Sequence, residues 1–208
     1  MEMMDLTLAQ FARSLAEAEP TPGGGAAAAY VGALGAALAG MALGYSTGEG
    51  AGEEDRPSRI TEEIARMAEL RESLLRLSAE DGEAYGAYAA ARGLPRNEPE
   101  ACRRRKAALR TALDRALEVP RRAADLSLQG LERIATVSPL VSPRLTADLG
   151  VSARCFHAAF HSCWYNVEVN AKTLKDEERA EALRRERKEK ARRLEKSLVV
   201  VLRRVERT

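Results

Sequence analysis

Asp81 stands where an apolar residue is expected. Read as a helix, Ile60, Met67, Leu74, Asp81 and Tyr88 recur every seven residues along one face, so a carboxyl group interrupts a core-facing series. A carboxylate in that position is either paired or desolvated, and desolvation raises its pKa toward the range useful for proton transfer. The alternative is an Asp that caps or bridges a neighbouring helix. Further along, Asp148, Ser152, Cys155, Ala159, Ser162, Asn166 and Asn170 advance by three or four residues at a time and draw one small, polar stripe. Such a stripe suits a solvent-lined cleft or a helix pair hydrogen-bonded across an interface. Asp148 and Asn166 are separated by roughly 27 Å of helical rise, too far to grip one small ring system. Asp148 also falls in a first helical turn, where capping or a dipole interaction is an ordinary role.

The segment Thr21-Pro22-Gly23-Gly24-Gly25 opens a run with no charge as far as Leu43. Proline fixes one backbone angle, three glycines free the next, and an Ala/Gly-rich helix follows. The exposed N–H groups of such a helix start can receive a carboxylate, a phosphate or a ring carbonyl. The same pattern also serves as a tight turn into a closely packed helix. Its spacing matches neither a dinucleotide fingerprint nor a P-loop. The run is long enough to cross a bilayer, but alanine and glycine supply little transfer energy, so it reads as a helix buried among helices.

Weaker candidates surround these. His157 and His161 share a helical face at zinc-ligand spacing, but Cys155 projects away from His157 and the spacing supplies no third ligand, so no metal is expected. Arg103, Arg104, Arg105 and Lys106, with the basic residues of the last helix, alternate with acids and lack aromatic partners. That argues for a solvated helix or a coiled-coil subunit contact rather than nucleic acid.

The elements that carry these residues are all helices. A capping box of Thr7 and Gln10 opens the first; the glycine turn opens the second; Pro57 opens a long third. Asn97 with Glu100 caps a fourth, which Pro120 kinks or breaks before a fifth through Ile134. A sixth spans about Thr146 to Lys172 and a charged last helix starts near Asp176. No strand pattern is present, so the class is all-α, a bundle of long antiparallel helices in one domain over residues 1–208. With 45% hydrophobic residues the chain can build a core, and a net charge of only +2 from 31% charged residues implies a salt-bridge-laced surface. Three cysteines without C-x-x-C spacing and no secretion leader point to a cytoplasmic protein.

Taken in order, Pro22-Gly23-Gly24-Gly25, Leu77-x-x-x-Asp81-x-x-x-Tyr85, Leu94-Pro95-Arg96-Asn97, Val119-Pro120, Ala147-Asp148-Leu149-Gly150-Val151 and Asn166-Val167-x-Val169-Asn170 resemble the cyclodeaminase/cyclohydrolase family. The resemblance runs from Leu8 to about Glu177. It implies an all-helical homodimer acting on one-carbon tetrahydrofolates without a metal or redox cofactor; composition and charge pattern, as above, leave no nucleic acid or membrane as expected partner. By position, Pro22, Gly23, Gly24 and Gly25 correspond to a ligand-facing glycine segment, Asp81 and Asp148 to acidic catalytic positions, and Asn166 and Asn170 to an asparagine pair for the substrate. The expected reaction is closure of 5-formiminotetrahydrofolate to 5,10-methenyltetrahydrofolate with loss of ammonia. Hydrolysis of the methenyl group is the alternative, and a non-catalytic interaction protein on the same fold is the third reading. One departure stands out: where the family carries a small basic and aromatic cluster, this chain has the acidic, glycine-rich stretch 46–55. Negative charge there should weaken binding of a glutamate-bearing substrate.

Overall fold

The structure, a computed structural model, describes residues 5–47 and 55–207, so most of the acidic stretch, 48–54, lies outside the described residues. Six α-helices follow in order: α1 (Leu8–Ala16), α2 (Gly24–Tyr45), α3 (Arg56–Gly93), α4 (Pro99–Val137), α5 (Thr146–Leu174) and α6 (Glu177–Val205). No strand occurs among the described residues. The expected capping box opens α1: the Gln10 N–H donates to Thr7 Oγ1 at 3.2 Å and the Thr7 N–H to Gln10 Oε1 at 2.8 Å.

Helix α2 is the axis of the bundle, and its small residues make that possible. A methyl group at Gly32 would lie 3.0 Å from Ser127 Oγ on α4, 3.2 Å from Leu74 on α3 and 3.3 Å from Ala159 on α5. Three helices therefore close on one residue. At Gly35 the α5 backbone approaches as well, and Ser152 Oγ donates to the Gly35 carbonyl at 2.7 Å. Although α2 has the length and hydropathy of a membrane span, about half of it is packed inside the bundle. Ser46 ends it as a buried staple, donating to the Ala42 carbonyl at 2.6 Å and accepting the Ser142 N–H at 2.9 Å.

Two helix boundaries differ from the sequence reading. The N-cap of α4 is Glu98, followed by Pro99, and no side chain of Asn97 caps it. Pro120 does not break this helix; α4 runs through it, so the described residues form six α-helices where seven were expected. The physical reason lies on α5. Pro120 has no N–H to offer the carbonyl one turn back, that of Ala116, and Asn170 Nδ2 donates to it at 2.7 Å. A side chain from the neighbouring helix replaces the missing ladder bond. Asn170→Ala should therefore cost about 1–3 kcal/mol, measured by denaturant unfolding, and Pro120→Ala in the same chain should recover most of that loss.

Helix α6 docks on its own chain. Leu194, Leu198 and Val201 are buried in the common core. Its charged flank pairs with α4 and α5: Arg121 with Glu186 at 2.9 Å, Arg193 with Glu132 at 2.9 Å, and Lys190 with Asp125, Arg179 with Asp114 and Arg187 with Glu168. Partly exposed pairs contribute little singly, but the row fixes the helix in register. These charges are spent within the chain, which accounts for their alternation. In the same core, Gly130 faces the Phe156 ring so closely that a methyl group would sit 2.4 Å from it. Gly130→Ala should lower stability by about 1–3 kcal/mol, read as a shift in Tm.

Candidate functional site

The start of α2 is held from α3. The side chains Ser78 and Asp81, one turn apart, grip the two polar groups of a single residue: Ser78 Oγ donates to the Ala26 carbonyl at 2.9 Å, and Asp81 Oδ2 accepts the Ala26 N–H at 3.0 Å. Asp81 thus acts as a cap for α2 supplied across the bundle, in place of the side chain that Gly23 lacks. Gly25 is what admits it. A methyl group there would fall 2.1 Å from Asp81 Oδ1, well inside contact distance.

A cleft of about 360 Å³ opens beside this contact. Gly23, Gly24, Gly25, Asp81, Asn166 and Asn170 all line it, so residues as far apart in sequence as Gly23 and Asn170 meet at one place. Pro22 belongs to the turn, in the cis peptide Thr21-Pro22, but does not face the cleft. Nor does Asp148. It is half-buried in the first turn of α5, at the far end of that helix from Asn166, as the helical rise requires. Its position gives it a favourable interaction with the positive end of α5. Asp148→Asn should cost about 0.5 kcal/mol of stability and leave turnover within about twofold of the parent, a comparison of steady-state rates.

The electrostatics of the cleft centre on Asp81. Burial pushes its carboxyl above the ordinary value of 3.8, and the bond from the Ala26 N–H opposes this without cancelling it. Cys163 lies fully buried close by; burial first, and then the Asp81 charge, push its thiol up to about 12, so it is no nucleophile at neutral pH. The two asparagines are oriented by their amide N–H groups. Asn166 Nδ2 donates to the Ser162 carbonyl at 3.1 Å and Asn170 Nδ2 to Ala116, which leaves both side-chain oxygens as acceptors. The Gly24 and Gly25 N–H groups, in the first turn of α2, are donors beside them, a methyl group at Gly24 lying 4.0 Å from Asn166 Nδ2.

Two aromatic residues complete the wall. Tyr85 and Tyr88 lie one and two turns beyond Asp81 and face the cleft, with Tyr85 46% exposed. The seven-residue series read Tyr88 as core; it is half-buried at the cleft because α3 extends past the core at this end. The signal was present in the sequence as the i, i+4, i+7 spacing of Asp81, Tyr85 and Tyr88. Leu113 and Ala116 from α4 supply the apolar floor.

A half-buried acid, free peptide N–H groups, two amide acceptors and two phenol rings around one cleft make a site for a small, flat, polar molecule with ionisable nitrogens. Known proteins give that class its family. A family model described as formiminotransferase-cyclodeaminase matches residues 7–189, and the chain belongs to this cyclodeaminase/cyclohydrolase family of folate one-carbon chemistry. It is 34% identical over 175 residues to a methenyltetrahydrofolate cyclohydrolase of Methylorubrum extorquens, covering 84% of each chain. It is 30% identical to the formimidoyltransferase-cyclodeaminase of Rattus norvegicus, of whose length it spans 32%. The crystal structure of formiminotetrahydrofolate cyclodeaminase from Thermotoga maritima superposes with a TM-score of 0.84 at 27% identity, over 97% of this chain and 96% of that one.

Proposed function

We propose that this chain is a formiminotetrahydrofolate cyclodeaminase, with Asp81 as its proton-transferring group. The observation that carries the reading is the Asp81 carboxyl, raised in pKa by burial and fixed to the α2 start within the cleft that Asn166 and Asn170 share. In this reaction N10 of the substrate attacks the formimino carbon, forming a carbon–nitrogen bond. N10 loses its proton, the imino nitrogen gains protons, and its bond to carbon breaks to release ammonia. A carboxyl group whose pKa lies above the ordinary range can take the first proton and return it to the departing nitrogen. The reacting atoms already belong to one molecule, so the protein's task is orientation and proton transfer.

The other groups fit that task. Acceptor oxygens of Asn166 and Asn170 suit the N–H edge of a pterin ring, and Tyr85 and Tyr88 suit its faces. Tyr85→Ala should raise KM about tenfold and change kcat less, since a stacking face binds ground and transition states alike; initial-rate kinetics decide this. No metal or redox cofactor enters the scheme. A second reading, methenyltetrahydrofolate cyclohydrolase, has a specific observation in its favour: the Methylorubrum extorquens relative is more similar than the rat cyclodeaminase, at 34% against 30% identity. There Asp81 would deprotonate the water that adds to the methenyl carbon.

The enzyme is proposed to work in the cytoplasm as a homodimer. Leu34, Met41 and Tyr45 lie exposed along one side of α2, and Val151 is exposed on the adjoining α5. An apolar strip on the central helix of a bundle suits the same strip of a second copy. The test of activity follows the methenyl chromophore by ultraviolet absorbance. Its appearance from 5-formiminotetrahydrofolate supports the first reading, its loss from 5,10-methenyltetrahydrofolate supports the second, and no turnover or binding of either refutes both.

A further inference from the structure

His157 and His161 lie one turn apart on α5, and the fold adds what their spacing lacks. Helix α6 returns antiparallel along α5, as the pairings of Gly150 with Val205 and Glu168 with Arg187 show, and it lays Glu195 over the two imidazoles. His157 Nε2 is 2.7 Å from Glu195 Oε1, and His161 Nε2 is 3.5 Å from the same oxygen. The ring centroids are 4.6 Å apart with the planes at 63°, and both Nε2 atoms are turned to the same Glu195 oxygen. All three donor atoms lie within 4.8 Å of one another.

We propose that His157, His161 and Glu195 form a binding site for a divalent transition-metal ion of the Zn²⁺ type, which clamps α6 to α5. A tetrahedral Zn²⁺ with bonds of about 2.0–2.1 Å holds its ligands roughly 3.3 Å apart, and the two observed nitrogen–oxygen separations bracket that spacing. Two imidazoles and one carboxylate select Zn²⁺, Co²⁺ or Ni²⁺ over Mg²⁺ and Ca²⁺, which take oxygen donors. The site is walled on one side by the Phe160 ring, set edge-on to His161 at 5.2 Å, while Glu195 stands 54% exposed. A remaining coordination position is thereby open to water.

Arg187 faces His161 and opposes a cation; its ion pair with Glu168 offsets that charge. The site is separate from the cleft, because His157 and His161 are turned roughly 140–180° around α5 from Asn166 and Asn170. Glu195 also lies beyond residues 7–189 that the family model matches. The ion therefore has a structural role on α6, outside the proton chemistry.

The test uses the full-length, tag-free chain with the exposed Cys102 replaced (Cys102→Ser), stripped with a chelator and titrated with Zn²⁺ by calorimetry. Thermal unfolding is recorded with and without the ion, and Co²⁺ absorption reports coordination. The expected result is one Zn²⁺ per chain with a raised Tm. Altering a group that only orients a ligand weakens binding about 10–100-fold, so loss of a ligand in His161→Gln or Glu195→Gln should weaken it by roughly 100-fold or more and abolish the Tm rise. Circular dichroism of the metal-free variants checks folding, and Glu195→Gln, at an exposed position, suffices if His161→Gln unfolds. No saturable binding, or binding and a Tm rise that survive Glu195→Gln, would overturn the proposal.

Discussion

Asp81→Asn should lower kcat about 10²–10⁴-fold while leaving the fold intact. The amide keeps an acceptor for the Ala26 N–H, so the cap on α2 survives, but it cannot exchange a proton at neutral pH. Stability should move the other way. Burial raises the native pKa of Asp81 above the ordinary 3.8, so as pH climbs the unfolded chain releases this proton first and the native state is penalised. The parent should therefore lose stability relative to Asp81→Asn from about pH 4 upward through the native pKa, and hold a constant deficit above it. Urea unfolding of both proteins across that range, beside steady-state kinetics, separates the catalytic effect from the structural one. Equal turnover in the two would remove Asp81 from the mechanism.

Gly25→Ala is expected to inactivate the protein through the same carboxyl. The new methyl group would lie 2.1 Å from Oδ1 and 2.5 Å from Cγ of Asp81, so the carboxyl must leave the Ala26 N–H or α2 must shift from α3. Displacement of a reacting group by about 1 Å costs on the order of 100-fold in rate, and overpacking adds about 1–3 kcal/mol of destabilisation. Because the damage passes through Asp81, adding Gly25→Ala to Asp81→Asn should lower kcat little further. Gly86→Ala is the control. A methyl group there meets nothing within 4 Å, so it should raise stability by about 0.5–1 kcal/mol and leave kcat unchanged.

How much of this was legible in the sequence depended on whether the signal was local. The interruption of an apolar series by Asp81, the glycine turn and the stripe ending in Asn166 and Asn170 are local patterns, and the cleft unites them. That Ala26 would be the partner of Asp81 is a contact across 55 residues, which no periodicity reports. Pro120 shows the opposite failure. Proline is a local breaking signal, yet the compensating donor, Asn170, sits 54 residues from the carbonyl it satisfies. Asp148 was separable in the sequence: its roughly 27 Å of helical rise from Asn166 already kept the two apart, and the cleft takes only the other end of α5. Glu195 could not be paired with the histidines until the turn at Lys175 and Asp176 had folded α6 back along α5.

The most direct test of the cleft's role is a single-turnover experiment with protein in excess over 5-formiminotetrahydrofolate, following methenyl absorbance and free ammonia together. The proposed chemistry predicts one ammonia for each methenyl group formed, at a rate at least about 100-fold slower with Asp81→Asn. Ammonia release and absorbance gain that are absent, or that proceed equally fast with Asp81→Asn, would contradict it.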